Sequence, residues 1–320
     1  METILSTDAR RTEFELSFLD VSDGVKLAVY AWPPPAAPKA AIQIAHGLAE
    51  HAARYDRLAR ALTQAGYAVY GSDHRGHGKT ARDPSELGFF AASDGFDKVV
   101  SDQFAVNRFV AARHPGLPIV LLGHSFGSFV SQAYLFEHAD SVRAVVLSGT
   151  TSANPLLVAP GLALAYAERL RLGPRAKSKL LQQLSFGSYN DAFKPVRTEF
   201  DWLSRDPDEV DKYVADPSCG FDTSVQGWID LFGGLLRIGS SARQRRLPST
   251  LPVYLLSGTA DPVGDMGKGP TRLQQQYQAA GIKRVKLNLY PTARHELVNE
   301  TNRDQVTDEL IAWLDDTLAR

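Results

Sequence analysis

The chain has 320 residues, 44% of them hydrophobic, and a formal net charge of -1 with a pI near 6.7. That balance supplies no strong field for nucleic acid or an anionic membrane, so neither is an expected partner. Cys219 is the only cysteine, which excludes an internal disulfide and a cysteine-built metal cage and suits a reducing, cytoplasmic setting.

Between Met1 and Asp20, Glu2, Asp8, Arg10, Arg11, Glu13 and Glu15 interrupt the apolar residues. No signal-peptide core is read there, and secretion is not expected. Residues 13–19 and 25–32, joined through Asp23-Gly24, predict an antiparallel hairpin. Pro33, Pro34 and Pro35 then force an extended connection. Apolar runs of strand length follow at 41–45, 67–71, 118–122 and 142–147, alternating with helical patterns at 55–65, 96–113 and 126–138. Strand–helix–strand repetition implies a mostly parallel sheet with helices on both faces.

From Thr151 to Arg246 no buried strand is legible. Residues 155–167 are apolar but short of the ~20 needed to span a membrane, and Pro160 and Gly161 break them. Strand-like runs return at 252–256 and 285–290. A closing helix is predicted with Thr301 or Asn302 as N-cap and Val306, Leu310, Ile311, Leu314 and Leu318 on one face. The expected organisation is one α/β domain, residues 1–150 and 247–320, interrupted by a helical insertion at 151–246.

Gly123-His124-Ser125-Phe126-Gly127 is the only G-x-S-x-G. It follows a strand-like run and opens a helical pattern, the setting of a nucleophile elbow. A serine hydroxyl needs a base, and the base an orienting acid. Asp261, just past the run ending Leu255-Leu256, is the expected acid, with Asp265 as its rival. His295 occupies the corresponding place after 285–290 and is the expected base. The oxyanion donors should be the N–H of Phe126 and that of Leu48, in the loop His46-Gly47-Leu48-Ala49-Glu50-His51. His46 and His51 have no carboxylate-rich partner motif, so a hydrogen-bonded loop role is expected rather than a metal site. No cofactor is implied. Cys219, beside Pro217, Ser218 and Gly220, is read as an inert buried thiol.

Together, His46-Gly47-x-x-Glu50-His51, Asp73-His74-Arg75-Gly76-His77-Gly78, Gly123 to Gly127, Ser257-Gly258-x-x-Asp261 and His295-Glu296 resemble the monoacylglycerol lipase and lysophospholipase group of α/β-hydrolases, which is related to the serine aminopeptidase family. The resemblance implies an α/β-hydrolase fold, a structural role for residues 73–78, and a helical cap, or lid, formed by the insertion and carrying substrate choice. It implies a serine esterase acting through an acyl-enzyme on monoacylglycerols, lysophospholipids or similar esters. Amide hydrolysis of the aminopeptidase type is the alternative, and a non-catalytic binding protein on the same scaffold is a third reading. Phe126-Gly127-Ser128 departs from the methionine and two glycines of many relatives.

The cap begins with Leu156, Leu157, Val158, Leu162, Leu164, Leu170 and Leu172, read as core or as an acyl-chain wall and weak lipid-facing surface. Its aromatics, among them Phe186, Tyr189, Trp202 and Trp228, suit core packing. The basic clusters Arg171/Arg175/Lys177/Lys179 and Arg237/Arg243/Arg245/Arg246 read as solvated faces. The aminopeptidase alternative would need an acidic pocket for a substrate ammonium, for which the acidic stretch 201–216 is a candidate.

Overall fold

The computed structural model describes residues 14–319. Most of the amino-terminal stretch read against secretion, and Glu13 of the predicted hairpin, therefore lie outside the described residues. The hairpin itself is present as β1 (Glu15–Asp20) paired antiparallel to β2 (Lys26–Trp32). The remaining strands are β3 (Ala40–Ala45), β4 (Tyr67–Ser72), β5 (Ile119–His124), β6 (Ala144–Ser148), β7 (Val253–Gly258) and β8 (Val285–Tyr290). They form one sheet in the order β1-β2-β4-β3-β5-β6-β7-β8. β2 meets β4 antiparallel, and every later neighbour is parallel.

Strands β3 to β7 are buried along their whole length, which explains why they read as continuous apolar runs rather than alternating ones. Their two-residue period still divides them between the two faces of the sheet. Leu121, Val145, Leu147, Val253 and Leu255 face one layer, with side chains of α2 (Gly95–Arg113), α3 (Phe126–His138) and α9 (Lys268–Ala279). Val120, Leu122, Val146, Tyr254 and Leu256 face the other, with α1 (Asp56–Gln64) and α10 (Arg303–Leu318). The fold is the α/β-hydrolase architecture expected from the sequence.

Between β6 and β7 the described residues contain no named strand. They form α4 (Pro155–Leu172), α5 (Lys179–Phe186), α6 (Pro207–Ala215), α7 (Val225–Ile238) and α8 (Ser241–Gln244). The insertion is not a detached unit. Trp228, Ile229, Leu231 and Ile238 of α7 belong to the same core as α2 and α3, and Asp230 accepts the Gly95 N–H at the start of α2 at 3.1 Å.

One local reading needs correction, and a second holds with a different side-chain partner. Strand β5 runs on through His124, so Gly123 and His124 of the motif are strand residues. Asn302 is the N-cap of α10, but its side chain does not cap; Arg205 Nη2 donates to it instead at 2.8 Å. Val306, Leu310 and Leu314 of the predicted face are buried, with Ile311 and Leu318 partly so.

Candidate active site

Ser125 sits at the junction of β5 and α3 with φ 50 and ψ -119, a left-handed conformation that costs about 1–3 kcal/mol for a residue with a side chain. The surrounding packing holds it there. The Ser125 N–H donates to Ser148 O at 2.9 Å, and its carbonyl accepts from Ser128 and Phe129. The flanking glycines are steric requirements. A Cβ on Gly127 would stand 2.1 Å from Ala45 O, and one on Gly123 would stand 2.4 Å from Ser131 Oγ. The start of α3 is thereby pressed against the end of β3. Ser128, the departure noted in the sequence, ties this elbow to the loop after β6. Its hydroxyl lies 2.6 Å from Ser125 O and 2.9 Å from Thr150 Oγ1.

Asp261 and His295 come from the loops after β7 and β8. Their side chains meet with His295 Nδ1 3.0 Å from both carboxylate oxygens, in near-complete burial. Asp261 oxygen also accepts the Val263 N–H at 2.9 Å. The rival acid, Asp265, is turned away and half-exposed on Arg272. Burial works against a charge on His295, but the facing Asp261 carboxylate outweighs it, with Glu296 and Glu50 adding, so its pKa is raised. Nδ1 is occupied by Asp261, which leaves Nε2 as the free nitrogen. The His295 ring is 4.7 Å from that of His124, the neighbour of Ser125. No hydrogen bond joins Ser125 Oγ to His295 among the described residues; such contacts tighten when substrate binds.

The loop after β3 closes the site from the other side. A Cβ on Gly47 would reach 3.4 Å from Ser125 Cβ, so this backbone passes directly beside the serine. The two peptides that flank Gly47 are each held by one hydrogen bond. Gly47 N–H donates to Glu50 Oε1 at 2.5 Å, and His46 Nδ1 lies 2.7 Å from Gly47 O. Because His74 N–H donates to His46 Nε2 at 2.9 Å, the His46 proton must be on Nδ1, pointing at that carbonyl. In a trans peptide the Leu48 N–H then points the opposite way. Among the described residues neither the Leu48 nor the Phe126 N–H has a hydrogen-bond partner.

His46, His74 and His77 form a neutral, packed group. Burial drives all three below the ordinary imidazole range, His74 to about 4 and His77 to about 3. His77 stacks on Phe126 at 6.3 Å and Phe90 does so at 5.3 Å, while His74 meets Phe126 edge-on at 5.5 Å. The aromatic residue at position 126 thus fills a cage of rings that fixes the start of α3. Asp73 anchors the same loop, accepting from Tyr30 OH, Ala52 N and Lys79 N at 2.9, 2.8 and 2.7 Å. Arg75 is forked onto buried Asp102 at 2.7 and 2.8 Å.

Other sequence readings resolve individually. Arg171 pairs with Glu168, Arg175 lies over the Phe89 ring, Lys177 binds the Leu87 and Asp222 carbonyls, and Arg237 bridges Asp97 and Glu137. The clusters are solvated as expected, with Arg171, Arg175, Lys177, Lys179, Arg243, Arg245 and Arg246 exposed, and these contacts tie several of them to the surface. Asp201, Asp206, Asp211 and Asp216 are likewise engaged, by Thr198, Arg303, Arg197 and His51. Burial pushes the Cys219 thiol pKa up, as for an inert cysteine. Potential ligand atoms of His51, Asp216 and Cys219 do lie within 4.8 Å of one another, a grouping invisible in a sequence that separates His51 from Asp216 by 165 residues. His51 Nε2 is already bonded to Asp216 at 2.9 Å, and we assign the group no metal. No helix among the described residues is long and apolar enough to cross a membrane.

Residues missed by sequence reading are Arg54 and Glu296 as partners, and Trp202 of the insertion, whose ring packs 5.1 Å from that of His295.

Comparison with known proteins identifies the family and the fold. Residues 36–302 match the family described as serine aminopeptidase (S33). A monoacylglycerol lipase of Mycolicibacterium smegmatis is 31% identical over 95% of this chain and 97% of its own. The human monoglyceride lipase is 30% identical over 95% and 93%. Among solved structures, a thermostable carboxyl esterase of Bacillus coagulans in complex with glycerol superposes with a TM-score of 0.89 at 25% identity, covering 96% of this chain and all of that one. The chain belongs to the serine aminopeptidase (S33) family and is a serine hydrolase with the α/β-hydrolase fold.

Proposed function

We propose that the protein hydrolyses carboxyl esters of single-chain lipids, monoacylglycerols foremost, through an acyl-enzyme on Ser125. The observation that carries this reading is the buried Asp261–His295 pair, set beside a strained Ser125 at the carboxyl ends of the strands. Ser125 Oγ attacks the ester carbonyl carbon as its proton passes to His295 Nε2. Asp261 holds the imidazole in the Nδ1–H tautomer and stabilises the imidazolium. The carbonyl oxygen becomes an oxyanion received by the Leu48 and Phe126 N–H groups. Collapse breaks the ester C–O bond, and the departing alcohol takes the proton from His295. Water then attacks the acyl-enzyme, again with His295 as base, releasing the fatty acid and restoring the serine.

Residues 151–246 act as the cap. Trp202 covers His295, and Leu203 O accepts the Glu296 N–H at 2.8 Å. On the outer side Leu156, Leu157, Leu170 and Leu184 are 83, 75, 92 and 66% exposed, an apolar surface suited to brief contact with a lipid aggregate. The relatives named monoacylglycerol and monoglyceride lipases favour a monoacylglycerol as substrate. The amide-hydrolysing alternative would use acidic side chains for a substrate ammonium, and the aspartates of 201–216 named above are committed to caps and ion pairs. A free Cys219 suits a cytoplasmic setting.

The test is a series of kcat/KM values on monoacyl esters of rising chain length. Each methylene contributes at most about 0.8 kcal/mol, so the ratio should climb by up to about fourfold per methylene and then level off. Triolein and an aminoacyl nitroanilide should be poor substrates. Equal rates on triolein and monoolein, or decline beyond butyryl esters, would overturn the substrate assignment.

A further inference from the structure

The loops carrying Leu48 and His295 are joined by a buried charged network that the ester-hydrolysis mechanism above does not use. Arg54 Nη1 lies 2.6 Å from Glu50 Oε2, and the same guanidinium is forked onto Glu296 at 2.7 and 2.7 Å. Glu50 is the residue that holds the Gly47 N–H; its Oε1 also accepts from Tyr55 OH at 2.9 Å. Glu296 directly follows His295 and accepts from Asn299 Nδ2 at 2.9 Å. Tyr213 of the insertion lies over the guanidinium at 4.8 Å and donates to Ala49 O at 2.8 Å. Glu50 and Glu296 are 3 and 4% exposed.

We infer that Arg54 is a positioning residue: through Glu50 and Glu296 it fixes the loop bearing the Leu48 donor to the loop bearing His295, so that oxyanion and base sites keep one separation. This rests on the assignment of Ser125, His295 and Leu48 made above. Burying two carboxylates and a guanidinium is costly, and packed apolar side chains would stabilise a fold as well or better. The network spans the two loops whose relative placement decides the geometry of proton transfer and oxyanion binding. A planar, five-donor fork can hold two carboxylates from different loops at once; an ammonium cannot reproduce that geometry.

The network also sets the charge around the base. The ionisable groups facing His295 are Asp261, Glu296 and Glu50, with the His124 ring beside it; Arg54 stands behind the two glutamates it binds, and Tyr189 lies near Asp261. Burial keeps His124 neutral, with its pKa at about 3, and holds the Tyr189 phenol above its ordinary range. Glu50 and Glu296 favour the imidazolium, and the Arg54 charge bound to both offsets part of their pull. Removing Glu296 charge should therefore lower the pKa of His295, while removing Arg54 charge should raise it.

The experiment measures kcat, KM and the acid limb of kcat/KM on a soluble butyryl nitrophenyl ester. The variants are Arg54→Lys, Arg54→Met, Glu296→Gln and the double variant Arg54→Met/Glu296→Gln, which removes one charge of each sign and guards against misfolding. Arg54→Lys should lose kcat by roughly 10–100-fold with little change in KM, the range for lost supporting contacts and ångström-scale misplacement, and keep the wild-type limb. Glu296→Gln should move the limb to lower pH and Arg54→Met to higher pH. Folded variants with kcat within about threefold of wild type, or uniform losses with an unmoved limb, would overturn the inference and leave the network a packing element. Ser125→Ala separates the two claims. If it stays active, the site assignment has failed; if it is dead while the Arg54 and Glu296 variants match wild type, the positioning role alone has failed.

Discussion

Proton transfer from Ser125 requires His295 to be neutral, and the Asp261 carboxylate facing it works the other way. Its pull more than offsets burial, so the imidazolium persists to higher pH than in a free histidine. Activity should accordingly fall through a single group as pH drops, with a midpoint above about 6.5, the ordinary histidine value. Asp261→Asn should cut kcat by roughly 10⁴ and, having lost the largest favourable partner, shift the residual limb to lower pH. The check is the pH dependence of kcat/KM for the two proteins; a limb at or below 6 in the wild type, or an unmoved limb in the variant, would count against His295 as base. Ser125, Asp261 and His295 could be nominated from the sequence because each follows a strand-like run, a local signal, and the structure brings Asp261 and His295 together. Asp265 could be set aside only once Arg272 was seen to hold it. The pairing of Arg54 with Glu296 escaped for a physical reason. The two lie 242 residues apart, and an arginine early in a helical pattern looks like any solvated charge until the fold buries it.

Strands β3 to β7 were readable because burial on both faces demands unbroken apolar runs. Their ends were not, since β5 is continued by Gly123 and His124, whose types belong to the elbow. The insertion was legible as a loss of strand rhythm, but its packing was not: nothing local in Trp228 or Ile238 signals that α7 joins the core under α2 and α3. Asn302 was identified by type as a cap, and a distant Arg205 took its side chain. On α4 the exposed leucines have no partner in the sequence pattern, and their role can be measured separately from the chemistry. Leu170, 92% exposed, should weaken partition to phosphatidylcholine vesicles by about tenfold when changed to glutamate, the order expected when a leucine side chain no longer enters an apolar phase. Hydrolysis of monoolein in those vesicles should fall with it, while the rate on a soluble butyryl ester stays the same. Equal losses on both substrates would place Leu170 in the working pocket rather than on a lipid-facing surface.

The molecule brings three strand ends and two later loops to one edge of the sheet, and the insertion after β6 lies across that edge. This is where ligands bind in open α/β sheets, and it accounts for a resemblance that runs nearly the length of the chain, because the motifs are spaced by the strands that carry them. The inserted segment is held to the loops of the candidate site through Tyr213 on Ala49, Leu203 on Glu296 and Trp202 on His295. Everything proposed for the chemistry depends on a nucleophile at position 125. The decisive measurement is the turnover of Ser125→Ala on a monoacyl ester, with circular dichroism establishing that the variant is folded. Loss of the nucleophile should lower kcat on the order of a million-fold, whereas a folded variant that keeps a tenth of the wild-type rate would contradict the assignment.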